Sequence, residues 1–257
     1  LLCDGDLIDR FLVLDGGSDD GTRDLATTLA NDHANTSVLF VDDLATDVGP
    51  VLGKGDSMWR SQAAIETDVV VYLDADLLNV SPNMALSLAA PLVFGDEVDF
   101  TKGLFHRVTD RGDPREYDGG RVTELVARPL INLVCADLAR YYQPLGGQVG
   151  IRTDLLASLP VVTAFGVEIG MLFDVSRRVG HDRIGEVELG DLVNSEKGDG
   201  ELLPMAQQVA YTLLTRAGCG EPGWVPAVRP TFDGDLRVVP GSDVVERPPW
   251  IERPGRG

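Results

Sequence analysis

The stretch that decides the fold is Asp68-Val69-Val70-Val71-Tyr72-Leu73-Asp74-Ala75-Asp76. Its run of β-branched and aromatic residues predicts a buried strand from 68 to 73. Asp74 and Asp76 follow where that strand ends, and open α/β sheets bind their ligands at the carboxyl ends of strands. Two carboxylates one residue apart at such an edge suit a divalent cation that bridges the protein to a diphosphate. The alternative is that they cap the next helix.

The segments ahead of this stretch predict a parallel sheet. A strand over 10–14 leads into the turn Asp15-Gly16-Gly17-Ser18, where glycine permits positive φ. A helix over 23–31 and a strand over 38–41 follow, which makes a strand–helix–strand unit with parallel strands.

A second candidate site element is Gly53-Lys54-Gly55, just before a predicted helix over 56–67. A lysine flanked by glycines at a helix start can approach a phosphate closely. The spacing and the Gly-Lys-Ser/Thr ending of a Walker A loop are absent. A lysine in an ordinary loop is the alternative interpretation.

A third element is Gly119-Gly120-Arg121-Val122-Thr123, which opens another predicted helix. Free amides, a helix dipole end, a guanidinium and a hydroxyl converge there and predict an anion cradle. An arginine on a solvated first turn is the alternative. Further along, Glu168 interrupts an apolar stretch and, if buried, must be paired or functional.

Composition restricts the function classes. The 257 residues are 44% hydrophobic, enough for a folded globule, and they carry 41 acidic against 22 basic side chains. A net charge of −19 opposes nucleic-acid binding, because it repels phosphate backbones. Such acidity, with only three lysines, suits a high-salt cytoplasm, although an ordinary acidic protein is equally consistent.

The sequence contains no run of eighteen apolar residues, which would predict a membrane span. It also contains no charged segment followed by an apolar one, which would predict a signal peptide. We therefore expect a cytoplasmic protein. The three cysteines, Cys3, Cys135 and Cys219, have no metal or disulfide spacing.

These motifs together resemble glucosyl-3-phosphoglycerate synthase and its mannosyl relative, which are retaining glycosyltransferases of the GT-A fold. The Asp-x-Asp and Asp-Gly-Gly-Ser pieces are common to many GT-A enzymes, whereas the run from Gly119 to Pro129 is far more specific. The resemblance rests on six segments of the chain: Asp15-Gly16-Gly17-Ser18, Gly53-Lys54-Gly55, Asp74-Ala75-Asp76, Gly119-Gly120-Arg121-Val122-Thr123-Glu124-Leu125-Val126-Ala127-Arg128-Pro129, Gln143-Pro144-Leu145 and Gly166-Val167-Glu168-Ile169-Gly170.

The resemblance implies an α/β GT-A (Rossmann-like) fold with a mixed, mostly parallel sheet flanked by helices. It implies a nucleotide-sugar-binding half over 1–101, an acceptor-binding half over 102–217 and an extended C-terminal tail over 218–257. It also implies a metal-dependent transfer of a hexose from UDP-glucose or GDP-mannose to 3-phosphoglycerate, carried out by a homodimer.

The resemblance further implies a role for each candidate residue. Gly16, Gly17 and Lys54 contact the nucleotide, together with Asp74 and Ala75, and Asp76 with Asp74 carries Mg²⁺ or Mn²⁺. Gly120, Arg121 and Thr123 hold the anionic groups of 3-phosphoglycerate, and Glu168 lies near the transferred sugar or the acceptor hydroxyl.

Two features depart from the family. Its opening strand has no counterpart before Leu1, so we expect a chain entered partway. Its metal-binding histidine after the last strand aligns with Asn194, with Leu192 in place of an arginine, and Asp191 is a candidate to compensate. These departures leave two alternatives: a glycosyltransferase with another acceptor, such as a lipid phosphate or a different hydroxy acid, or a catalytically silent nucleotide-sugar-binding protein.

Overall fold

The computed structural model describes residues 7–108, 120–193, 199–220, 223–231, 233, 235–241 and 243–253. Asn194, a predicted metal ligand, and Gly119 lie outside these residues. The helices are α1 (Thr22–Asn31), α2 (Lys54–Ser61), α3 (Pro82–Phe94), α4 (Arg128–Val134), α5 (Thr153–Ala157), α6 (Val167–Val179) and α7 (Asp199–Arg216), and a π-helical segment, Thr123–Ala127, leads into α4. The strands are β1 (Phe11–Asp15), β2 (Thr36–Phe40), β3 (Val69–Tyr72), β4 (Phe100–Arg107), β5 (Val149–Arg152), β6 (Val161–Val162), β7 (Ile184–Leu192), β8 (Val228–Pro230), β9 (Leu236–Val238) and β10 (Glu246–Arg247).

The central sheet has four strands in the order β3-β5-β4-β7. β4 and β7 are parallel, whereas β5 runs antiparallel to both of its neighbours, β3 and β4. β1 and β2 form a separate parallel pair, as the strand–helix–strand pattern predicts. The mixed α/β fold is confirmed, but the prediction of a mostly parallel sheet is wrong for the central sheet. Two of its three strand pairs are antiparallel, because β5 enters the middle of the sheet from a turn and runs opposite to both neighbours.

The strand predicted over 68–73 is present as β3, but the prediction that this strand is buried is wrong. Every residue of β3 is only half-buried. Within the described residues β3 pairs with a single strand, β5, so one of its edges lacks a strand neighbour. Its four β-branched and aromatic residues nevertheless form the extended segment that ends at Asp74.

Local chemistry explains the helix starts that frame this sheet. Ser81 caps α3 by accepting a hydrogen bond from the Asn83 amide, and Pro82 occupies the first helical turn, where a missing N–H costs nothing. α6 buries one face through Ile169, Leu172 and Val175, which recur at helical spacing.

The main core lies between the sheet and the helices α2, α6 and α7. Its largest fully buried apolar side chains include Trp59 of α2, Phe100 of β4 and Ile151 of β5. Burial of such side chains stabilises the fold by about 1.5–3 kcal/mol each relative to exposure. This core fixes α2 and α6 against the sheet.

The C-terminal segment packs on the chain's own surface. β10 pairs with β6, and Arg247 donates to the fully buried Asp56 at the start of α2, with Nε 2.8 Å from Oδ1. Trp250 stacks edge-on against Trp59, with ring centroids 4.8 Å apart. The segment 243–253 therefore clamps the helix that begins with Lys54.

Candidate active site

A single large cleft of about 1120 Å³ opens beside the carboxyl ends of β3 and β4. Motifs that are far apart in sequence meet there, as expected for a ligand site of an α/β sheet. The predicted site residues that line it are Lys54, Asp74, Ala75, Asp76, Gly120, Arg121, Thr123 and Glu168.

Lys54 is the centre of the charged part of the cleft. Gly53, at φ 79°, turns the chain so that α2 starts at Lys54. Its Nζ forms ion pairs with the Asp74 carboxylate and with Glu168, where Nζ lies 2.6 Å from Oε1. Burial alone lowers the pKa of Lys54, but Glu168 and Asp74 outweigh burial and hold it above its ordinary value. Lys54 is therefore a fixed cation.

Asp74 is held in place from two sides. Besides its contact with Lys54, its Oδ2 accepts a hydrogen bond from Gln148 Nε2 at 3.0 Å. Burial raises the pKa of Asp74, but the attraction of Lys54 and these hydrogen bonds prevail and lower it below the usual value. The backbone of Gly147 lies directly against the pair, because a Cβ there would stand 2.6 Å from both Asp74 Oδ2 and Lys54 Nζ.

Ala75 and Asp76 continue the chain along the cleft wall. Asp76 is half-buried and Ala75 is exposed. Carboxylate oxygens are the ligands that Mg²⁺ and Mn²⁺ prefer, so Asp76 with Asp74 at an open cleft fits such an ion. The described residues contain no group of three or more His, Cys, Asp or Glu side chains arranged to hold a metal. Asn194 lies outside those residues, and Asp191, exposed on β7, is not among the residues that line the cleft.

The third motif forms the opposite wall. Arg121 is exposed, whereas Thr123 is buried and begins the π-helical segment. Single π-helical turns are rare inside helices and occur frequently at functional sites. The Glu124 amide donates to the Gly120 carbonyl at 3.0 Å, which fixes the start of this helix next to the cleft.

Gly16 and Gly17 lie beside the cleft rather than in its lining. They follow β1 in a turn, where Gly17 has φ 98° and Gly16 approaches Ser57, a cleft residue. Asp15 anchors this turn by accepting hydrogen bonds from the Ser18 amide and from Arg23 Nε, the latter at 2.8 Å.

Two cationic side chains in or next to the cleft, Arg107 and Lys102, were not predicted as site residues. Arg107, at the end of β4, lines the cleft near Asp74. Lys102, five residues earlier on β4, is completely buried, and burial lowers the pKa of its ammonium to about 8. The available signal was that Lys102 is one of three lysines and stands between the apolar residues Phe100 and Phe105.

Comparison with known proteins supplies the class and the family. No known family model matches the chain. A solved structure of glucosyl-3-phosphoglycerate synthase from Mycobacterium tuberculosis with Mn²⁺ and UDP-glucose superimposes with a TM-score of 0.84 at 36% identity, covering 98% of this chain and 83% of that one. A second, with phosphoglyceric acid, has a TM-score of 0.83 at the same identity and coverage. Fold and cleft together define a glycosyltransferase of the GT-A class.

Sequence relatives narrow the class further. Glucosyl-3-phosphoglycerate synthase of Mycolicibacterium smegmatis is 37% identical over 248 residues, which are 95% of this chain and 80% of that protein. The enzyme of the same name from Mycolicibacterium paratuberculosis is 39% identical over 226 residues, 86% of this chain and 67% of that protein. The chain belongs to the glucosyl-3-phosphoglycerate synthase family.

Proposed function

We propose that this chain is a metal-dependent retaining glycosyltransferase that moves glucose from UDP-glucose to 3-phosphoglycerate. The observation that carries the proposal is that one cleft joins the Lys54–Asp74 pair and Asp76 to the Arg121–Thr123 helix start. Two anionic substrates can meet only if fixed positive groups offset their charges, and this cleft has such groups on both walls. The names of the relatives favour glucose over mannose as the sugar.

On the donor side, Gly16, Gly17 and Lys54 contact the nucleotide diphosphate. The turn at Gly16 offers backbone without side chains, and Lys54 presents a permanent charge. Asp76, with Asp74 and Ala75 beside it, holds Mg²⁺ or Mn²⁺, and Asn194 completes the ligand set. When bound, the ion neutralises charge on the departing diphosphate.

On the acceptor side, Gly120, Arg121 and Thr123 hold the phosphate and carboxylate of 3-phosphoglycerate. A guanidinium pairs with either group in a bidentate manner, and the Thr123 hydroxyl adds a neutral donor. Lys54 fixes Glu168 between the two walls, where its carboxylate orients the sugar or the acceptor hydroxyl. Attack then occurs on the face from which the diphosphate leaves, so that the sugar keeps its configuration.

The division into a donor half over 1–101, an acceptor half over 102–217 and a tail over 218–257 follows this assignment. None of the helices among the described residues is long and apolar enough to cross a membrane.

A cytoplasmic homodimer is part of the proposal. It is supported by the hairpin of β8 and β9, which exposes Val228, Leu236 and Val238. Light scattering tests the dimer, which should have twice the 27.6 kDa of the chain.

The test of the reaction is turnover by purified protein, measured as release of UDP from UDP-glucose or of GDP from GDP-mannose. UDP-glucose and GDP-mannose are each offered with 3-phosphoglycerate and Mn²⁺ or Mg²⁺, with metal or acceptor omitted as controls. We expect release of UDP that requires both the metal ion and 3-phosphoglycerate. UDP binding without turnover would instead identify a silent binding protein, and turnover only with another hydroxy acid or a lipid phosphate would identify another acceptor.

An Arg121→Ala variant tests the acceptor wall separately. Loss of a bidentate guanidinium is expected to raise the KM for 3-phosphoglycerate by about tenfold or more, while the KM for UDP-glucose stays within about twofold. Arg128→Ala, which removes a neighbouring guanidinium that pairs with Glu124 and Tyr142 instead, is the control for general damage to the helix. An unchanged acceptor KM in Arg121→Ala would contradict the assignment.

A further inference from the structure

Lys102 is a buried cation with an unusual setting. Its side chain is completely inaccessible, and its Nζ donates a hydrogen bond to the Gly146 carbonyl at 2.8 Å. A buried ammonium is costly unless it is paired, so an aliphatic residue would serve a purely structural strand position better. The charged groups that face it are Glu168, Lys54, Glu186 and Asp74.

The carbonyl that Lys102 holds belongs to the turn over 143–146. The Gly146 amide closes this turn on the Gln143 carbonyl at 2.9 Å, and Gln143 Nε2 donates to the Phe105 carbonyl at 3.0 Å. β4 therefore grips the turn at both ends, through Phe105 and through Lys102.

The two residues after this turn, Gly147 and Gln148, contact Asp74. Gly147 lies so close to Asp74 and Lys54 that no side chain fits between them, and Gln148 donates directly to Asp74. A shift of Gly146 is thus transmitted at once to the Asp74–Lys54 pair. Leu145 and Gly147 both line the cleft, whereas the Lys102 side chain lies behind it.

We propose that Lys102 is a positioning residue, which holds the segment Gly146–Gln148 so that Asp74 keeps Lys54 placed to bind the donor's diphosphate. The inference rests on the proposed function, since it concerns the donor side of the same cleft. Lys102 also offsets negative charge in this region, where two ammonium groups, Lys54 and Lys102, lie near three carboxylates: Asp74, Glu168 and Glu186.

The test compares Lys102→Met with Thr101→Val. Met keeps the length of the side chain but removes its donor and its charge. Thr101 is the adjacent, equally buried residue, and it donates to the Leu88 carbonyl at 2.7 Å on the opposite face of β4. Both variants lose one buried hydrogen bond, so both are expected to melt at a lower temperature than the wild type.

Only Lys102→Met is expected to weaken donor binding. If the variant displaces the groups that bind the diphosphate, the KM for UDP-glucose should rise about tenfold. The Kd for UDP with Mn²⁺, measured by calorimetry, should rise by a similar factor. The KM for 3-phosphoglycerate should stay within about twofold, and Thr101→Val should leave all three constants within about twofold of the wild type. Lys102→Arg, which keeps charge and donor, should recover part of the UDP affinity.

Several results would overturn this role. If Lys102→Met and Thr101→Val behave alike, or if both substrate KM values rise together, Lys102 is only structural. Should Lys102→Met not fold, Lys102→Gln, whose amide still donates, takes its place, and failure of both to fold while Thr101→Val folds also counts against the proposal. A wild type without turnover would remove the proposed reaction, while UDP calorimetry on the same variants still decides the role of Lys102.

Discussion

At the scale of single residues, one ammonium joins two parts of the fold. Lys54 begins α2 and contacts Asp74, which follows β3, and Glu168, in the first turn of α6. Because its side chain and both carboxylates are largely withdrawn from water, these interactions are stronger than those of surface ion pairs. Lys54 therefore orders α2, α6 and the end of β3 relative to one another around the cleft.

Replacement of Lys54 by Met is expected to abolish this order. If the cleft binds the donor's diphosphate as proposed, the loss of this fixed positive group should reduce kcat/KM for UDP-glucose by about 10²- to 10³-fold. Initial rates at varied UDP-glucose measure the effect. Arg183→Met is the matched control, since Arg183 pairs with Asp99 at the far end of the sheet and its loss should leave kcat/KM within about twofold. An unaltered kcat/KM in Lys54→Met would remove the lysine from the donor site.

The sequence located most of this site but not its internal contacts. Lys54, Asp74, Asp76, Arg121 and Glu168 were predicted individually, because glycine punctuation and strand ends are local signals. Which of them pair is a property of the tertiary fold. Arg107 and Lys102 were missed since side chains alternate along β4, and a sequence pattern does not reveal which face meets the cleft.

At the scale of elements, local signals predicted the β1–α1–β2 unit well, whereas the strand order of the central sheet was not predicted. α1 spans Thr22–Asn31, within about one residue of the predicted 23–31, because the turn that ends at Gly21, with φ 88°, marks its start. α2 ends earlier than predicted, at Ser61, where a short 3-10 turn over Gln62–Ala64 replaces the α-helix. The central, antiparallel place of β5 depends on long-range pairing, for which its four residues carry no signal.

The junction of α6, α7 and β10 contains a carboxyl group that makes stability depend on pH. Asp174 of α6 pairs with Arg216 Nε at 2.9 Å, and Arg216 also pairs with Glu246 of β10. Burial outweighs the guanidinium and raises the pKa of Asp174 to about 6. Since the folded state then holds the proton more tightly than the unfolded chain, this contribution to stability is complete below about pH 4 and is lost as pH rises through about 6.

An Asp174→Asn variant should therefore lack this pH-dependent contribution to the free energy of unfolding. The free energy of unfolding of the wild type, relative to the variant, is expected to fall by about 1–3 kcal/mol between pH 4 and pH 7. Urea denaturation at intervals of pH measures it. Asp43→Asn, at an exposed position, controls for the loss of one negative charge. Parallel curves for the wild type and Asp174→Asn would show that the Arg216 pair cancels the effect of burial on this pKa.

At the scale of the whole molecule, charge is the dominant feature. A net charge of −19 on 257 residues means that self-repulsion opposes the compact state. Many of the ion pairs that salt would weaken, such as Arg10 with Glu66, are exposed and contribute little. The pairs that organise the cleft and the tail, half-buried Lys54 with Asp74 and buried Arg247 with Asp56, are screened less.

These two facts predict that salt stabilises the protein. The Debye length shortens from about 30 Å at 0.01 M to about 3 Å at 1 M, so repulsion between distant carboxylates disappears while the buried pairs persist. We expect Tm to rise by about 2–6 °C over this range, which corresponds to about 1–2 kcal/mol for a chain of this size. Differential scanning calorimetry in NaCl and in KCl separates screening from binding of one cation, because screening acts equally in both. A Tm that stays constant or falls would mean that surface ion pairs, rather than net repulsion, govern the stability of this acidic surface.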